Sequence, residues 1–154
     1  MKVKTKFVFV SVVAIALTGC ATKAPDCNDS KTKDLVISIE HEPLKQVFDD
    51  GWEYMKKGLE STAKSFGVKV EFNDNFSDLK LSVENVRMTG YDEKIGKYSC
   101  SGSLVATAGV EKAEVPIDFT SELADGGGKQ YVQATKLSTE DLGGLLAALV
   151  SKKG

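Results

Sequence analysis

At Gly67 the spacing of apolar residues changes period, and that change decides which class of fold is open to this chain. Upstream, Leu44, Val47, Phe48, Gly51, Trp52, Met55, Leu59, Ala63 and Phe66 recur at steps of three and four, the signature of one helical face. Downstream, apolar and polar residues alternate with the period of two that a half-buried strand requires. A helical half followed by a strand half predicts an α+β fold. We expect one or two N-terminal helices packed on a three- to four-stranded antiparallel meander, with a C-terminal helix after it.

Pro43 suits the first turn of the helix over residues 44 to 66, and Gly67 suits its C-terminal end. The preceding "LVISIE" (35 to 40) is ambiguous. Leu35, Ile37 and Ile39 alternate like a strand, whereas Val36, Ile39, Pro43 and Val47 continue the helical stripe. The reading favours a first helix that kinks or breaks at Pro43.

Beyond Gly67, "VKVEF" (68 to 72) reads as a short edge strand. Leu79, Leu81 and Val83 alternate, but Val86 and Met88 resume on the other parity, so a bulge near Glu84 and Asn85 is needed to keep one face buried. Tyr98, Cys100, Gly102, Leu104 and Ala106 share one side of the next strand, and Val115, Ile117, Phe119 and Leu123 one side of the strand after it. Pro116 requires that its strand be an edge or that its ring nitrogen face away from a partner. A turn at "DGGGK" leads to the strand "QYVQATKL". In the last segment Ser138 and Asp141 have capping spacing and Leu137 and Leu142 staple spacing. Leu142, Leu145, Leu146, Leu149 and Val150 then form a helical stripe, with Lys152 and Lys153 at the expected negative end of the dipole. Gly143 and Gly144 each cost this helix about 1 kcal/mol relative to alanine, so packing must hold it.

The N-terminus is a targeting signal: Lys2, Lys4 and Lys6 precede the apolar run 7 to 19, which is shorter than the roughly 20 residues a permanent membrane span needs. Leu17, Thr18, Gly19 and Cys20 resemble the lipobox of bacterial lipoproteins. That resemblance implies cleavage before Cys20, a diacylglycerol on its thiol, and further acylation, palmitate being the usual kind of chain. Two or more acyl chains anchor a protein stably. Ala21 follows Cys20 where aspartate retains many enterobacterial lipoproteins in the inner membrane, so the resemblance favours the periplasmic face of an outer membrane. Residues 1–19 are then signal peptide, 20–33 an acylated tether, and 34–154 one globular domain.

With Cys20 acylated, Cys27 and Cys100 are an even remainder in an oxidising compartment and should pair as a disulfide. Removing 19 of 154 residues leaves enough chain for one domain with a modest core. The 20 Lys and Arg face 22 Asp and Glu, and three lysines leave with the signal, so the mature chain is acidic. It has no electrostatic reason to bind nucleic acid. Membrane contact is expected through the anchor.

No catalytic, cofactor-binding or metal-ligating set is found in the sequence. His41 is the single histidine, without a second imidazole for a metal. "DGGGK" lacks the spacing and the Ser or Thr of a phosphate loop and sits between strands. The pairs Asp49 with Asp50 and Asp92 with Glu93 are sequence neighbours, which do not face one another on a helix or strand.

Tyr98, Cys100 and Gly102 resemble the tyrosine-cysteine-glycine signature of small periplasmic lysozyme inhibitors of the C-type lipoprotein class, with the glycine one position closer than in that family. The helix around Trp52 and the C-terminal leucine helix do not belong to an all-β inhibitor barrel. More broadly, Cys27 before an apolar helix, "GKYSC" on a strand, and "VPIDFTSEL" before a glycine turn and "YV" resemble a group of small exported bacterial and phage proteins. The expected function is therefore that of a non-enzymatic envelope lipoprotein working by contact with another envelope protein, through the solvent face of the sheet or an uncovered edge such as 68 to 72. Inhibition of an envelope hydrolase, phage-type exclusion, and carriage of a small hydrophobic ligand are the alternatives.

Overall fold

A single helix of 36 residues, α1 (Ser30–Ser65), dominates the computed structural model, which describes residues 15–16, 23–124 and 128–152. Asp29 caps its start by accepting a hydrogen bond from the Lys31 amide. At the other end Gly67 takes φ +68°, so that the Val68 amide reaches Ala63 O at 2.9 Å and the Gly67 amide reaches Lys64 O at 3.1 Å. This is a Schellman closure, available because glycine has no Cβ to clash in the left-handed region.

The helix differs from the sequence reading in two ways. It does not break at Pro43 but runs through it, and residues 35 to 40 are helical throughout. An internal proline costs about 3 kcal/mol. Here Leu35 and Val36 before it and Leu44 after it are all buried in one core, so packing on both sides outweighs the lost hydrogen bond. The helix also starts inside the stretch read as tether, and Ala24 and Cys27 are already buried ahead of it.

The sheet beneath α1 has the order β1-β6-β5-β4-β3, all neighbours antiparallel. Its long strands are β3 (Lys80–Asp92), β4 (Lys97–Ala108) and β5 (Glu111–Leu123), with the shorter β6 (Lys129–Ala134) beside them, a four-stranded meander where three to four strands were expected. The two-residue β1 (Ile15–Ala16) pairs with Gln130 and Lys129 on the outer side of β6. Residues 125–127 of the glycine turn lie outside the described residues, and Ala124 N bonds Lys129 O across them at 2.8 Å.

The bulge required by the change of parity lies where it was expected. Pairing of β3 with β4 slips between Glu84 and Arg87, and Asn85 adopts φ 53°. Gly102, opposite the slip, is held there by space: a Cβ would sit 2.9 Å from Glu84 O and 3.3 Å from Val86 Cγ2. Pro116 satisfies the second of its two options. Its strand is central, but Thr135 N bonds Asp118 O at 2.7 Å, so even-numbered residues of β5 point their polar groups toward β6, and Pro116 lies past the last β5–β6 pair.

The C-terminal segment departs further from expectation. Ser138 and Asp141 form a reciprocal capping box, and Leu137 and Leu142 are buried beside it, but α2 (Thr139–Leu145) is only seven residues long. It tightens into a 3-10 turn (Leu146–Leu149) and then extends as β7 (Val150–Lys152), which pairs antiparallel with β2 (Val70–Phe72). Of the edge read at 68 to 72, residues 70–72 are thus paired on one side by Val150–Lys152. Gly143 and Gly144 weaken the helix, whose last residue Leu145 is buried, and the 3-10 turn still buries Leu146, Ala148 and Leu149.

Candidate functional site

The functional features lie toward the two ends of α1. At its start, Cys27 and Cys100 are bridged, with S–S 2.05 Å and Cα–Cα 5.7 Å, and both are 2 % exposed. The link joins the segment before the helix to the second long strand. Closing a loop of 73 residues is associated with about 4 kcal/mol in the chain-entropy account.

A buried polar chain reinforces that link. Gln130 Nε2 donates to Thr32 Oγ1 at 2.7 Å and to Ser121 Oγ at 3.0 Å, and Ser121 Oγ donates to Pro25 O at 2.8 Å. Thr32 and Ser121 are fully buried and Gln130 nearly so. The chain ties β5 and β6 to both the helix and the segment leading into it. Sequence reading missed it, although a signal was present: Thr32, Ser121 and Gln130 are polar residues at positions in phase with the apolar face of their elements. Glu40 is a fourth such residue, 3 % exposed with no hydrogen-bond partner among the described residues, and burial holds its carboxyl above the usual carboxylate range.

Just upstream of the disulfide, Lys23 reaches over two tyrosines of the β3–β4 hairpin, its Nζ 5.2 Å from the Tyr91 ring and 5.6 Å from the Tyr98 ring. The two rings pack against each other at 4.6 Å. The Tyr98 hydroxyl, acting as acceptor, raises the Lys23 ammonium pKa. Met88 joins these three and Asp26 around an open cleft of about 340 Å³. Met88, Tyr91 and Ile95 are exposed on this hairpin.

Midway along α1, Trp52 makes the last fully packed contact. Its indole Nε1–H donates to Asp74 Oδ1 at 2.7 Å, and Lys56 Nζ reaches the same oxygen at 2.7 Å. Those donors, Lys56 first and Trp52 second, hold the Asp74 carboxyl below its usual range. Phe48 stacks on Trp52 at 5.3 Å, Phe72 meets it edge-on, and Phe76 touches Phe48 and His41. His41 is therefore a neighbour of an aromatic cluster.

Beyond Met55 the apolar stripe leaves the core. Leu59 is 43 % exposed, Phe66 77 % and Val68 41 %. The sequence reading treated Leu59, Ala63 and Phe66 as part of the buried face; the sheet does not extend under Leu59 and Phe66. Their exposure makes this end of α1 an apolar surface available to a partner.

Cys20 lies outside the described residues, as does most of the segment read as signal peptide. Of the residues expected to carry special chemistry, the structure brings Cys27 and Cys100 together. Among the described residues, no group of three or more His, Cys, Asp or Glu side chains is placed to hold a metal ion. No helix among them is long and apolar enough to cross a membrane. Tyr98, Cys100 and Gly102 all have packing roles: Tyr98 is buried, Cys100 is bridged and Gly102 makes room for the bulge. No family model, curated protein or solved structure matches the chain.

Proposed function

We propose that the chain is a lipid-anchored envelope lipoprotein, acylated on Cys20 and facing the periplasm from the outer membrane, that acts by protein-protein contact rather than catalysis. The single observation that carries the contact reading is the stripe formed by Leu59 and Phe66 with Val68, apolar and exposed at the C-terminal end of a continuous helix whose other end is pinned to the sheet. A helix presenting such anchors at i and i+7 suits a hydrophobic groove on a partner. In this reading the surface differs from the sheet face and edge that sequence reasoning favoured, one side of residues 70–72 being already paired with β7. Cleavage before Cys20 would also remove β1 and leave the outer side of β6 a short edge bearing Lys129 and Gln133.

A photoreactive amino acid placed at Phe66 in cells should yield one dominant cross-linked partner, and the same probe at Glu114, on the opposite face of the sheet, should yield little. Equal or absent cross-linking at Phe66 would count against the helix end as the contact. Cys20→Ser should move the protein from the membrane fraction to the soluble periplasm, and retention in the membrane would remove the anchor from the reading.

A further inference from the structure

We infer that the β3–β4 hairpin is the domain's bilayer-facing surface, with Met88, Tyr91 and Ile95 resting in a zwitterionic headgroup layer beside the acyl anchor. The inference rests on Cys20 being the acylated residue, as proposed above. Its geometry comes from the first described residues after that position. Lys23 lies over Tyr91 and Tyr98, so the last three residues of chain between anchor and domain can span at most about 11 Å. Four residues further on, Cys27 is bridged to Cys100, so this contact cannot swing away from the sheet. A thioether held that close to the hairpin brings the hairpin, rather than the far end of α1, to the membrane surface.

The chemistry of the hairpin suits that place. Met88 is 58 % exposed and Ile95 57 %, and both flank tyrosine, whose apolar ring and polar hydroxyl favour the boundary between hydrocarbon and water. Lys23 holds its ammonium over both rings, a cation–π contact at the rim of the same surface. Around them Lys23 and Lys94 face Asp26, Asp92 and Glu93, and Lys97 is paired with Glu122 at 3.6 Å, so the hairpin carries no excess of positive charge. A surface without excess positive charge selects no anionic lipid, which is why the occupant is a zwitterionic headgroup such as phosphatidylethanolamine.

The test uses the acylated mature lipoprotein reconstituted into phosphatidylethanolamine-rich vesicles that contain brominated lipid. Ile95→Trp and Phe66→Trp are compared, both at exposed positions where folding is undisturbed, with Trp52 as the common buried background. Emission from Ile95→Trp should be quenched several-fold more than that from Phe66→Trp. Replacing part of the zwitterionic lipid with phosphatidylglycerol should leave that difference unchanged. Vesicle-bound protein showing equal quenching at both positions would overturn the orientation while leaving the anchor intact. A marked rise in quenching with phosphatidylglycerol would overturn the choice of headgroup. Protein whose mass shows no diacylglycerol on Cys20, or that fails to float with vesicles, would overturn both the anchor reading and this inference.

Discussion

The two halves of α1 carry the same apolar stripe and have different fates. From Ser30 to Leu44 the helix buries Thr32, Leu35, Val36, Glu40 and Leu44; from there to Ser65 its only fully packed residue is Trp52. The helix is about 54 Å long at 1.5 Å per residue. A four-stranded sheet cannot cover a helix of that length, so the first half becomes core and the second half becomes surface. Helical periodicity states which residues share a face. It does not state whether that face has anything to pack against.

The comparison can be broken most severely at the pinned end. Replacing both Cys27 and Cys100 with alanine should lower unfolding stability by about 4 kcal/mol, read from denaturant melts, and reductant should do the same to the native protein. An unchanged midpoint would mean that the polar chain and core hold this end without the bridge.

A matched pair tests the contrast itself. Leu44 is fully buried and Leu59 is 43 % exposed. Leu44→Ala should cost about 3 kcal/mol, within the usual span for buried leucine, and Leu59→Ala less than about 0.5 kcal/mol. Equal costs would show that the second half is packed in solution. Gln130→Ala should follow at about 2 kcal/mol, because it strips the donor from two buried hydroxyls, on Thr32 and Ser121.

At Glu40 the sign of the effect is the useful part. Burial raises its folded pKa above the ordinary 4.5, so the native state holds the proton more tightly than the unfolded chain. Its contribution to stability is complete below the ordinary value and is lost as pH rises through the raised folded value. Glu40→Gln should therefore be the more stable protein at neutral pH, with the gap closing as pH falls toward 4.5. A gap that widened on acidification would mean that the carboxylate is stabilised by the fold instead. Asp74, Glu84 and Asp141 shift the other way, each held below its usual range by a donor, Lys56, Lys112 and Ser138 respectively. Their effects are common to both proteins and cancel in the difference.

Much of the fold was legible because it is set by neighbours a few residues apart. Gly67 ends a helix by freeing its own φ, Ser138 and Asp141 cap another within one turn, and a change of parity at Glu84 forces a bulge whatever lies across from it. The Cys27–Cys100 pair was legible for a chemical reason: on the expectation of an acylated Cys20 and an oxidising compartment, the two remaining thiols have only each other. The rest required partners far away in the chain. Pro43 is tolerated inside α1 only because core residues on both sides pack at once, and the last leucine stripe gives up its helix because Val150–Lys152 finds an edge at Val70–Phe72. Whether Leu59 and Phe66 are core or contact surface, and whether Thr32, Ser121 and Gln130 meet, depends on where a sheet ends and which side chains it brings within 3 Å. Local torsion and periodicity are properties of the sequence alone, whereas burial belongs to the pair of surfaces that meet, and the second surface exists only once the chain has folded.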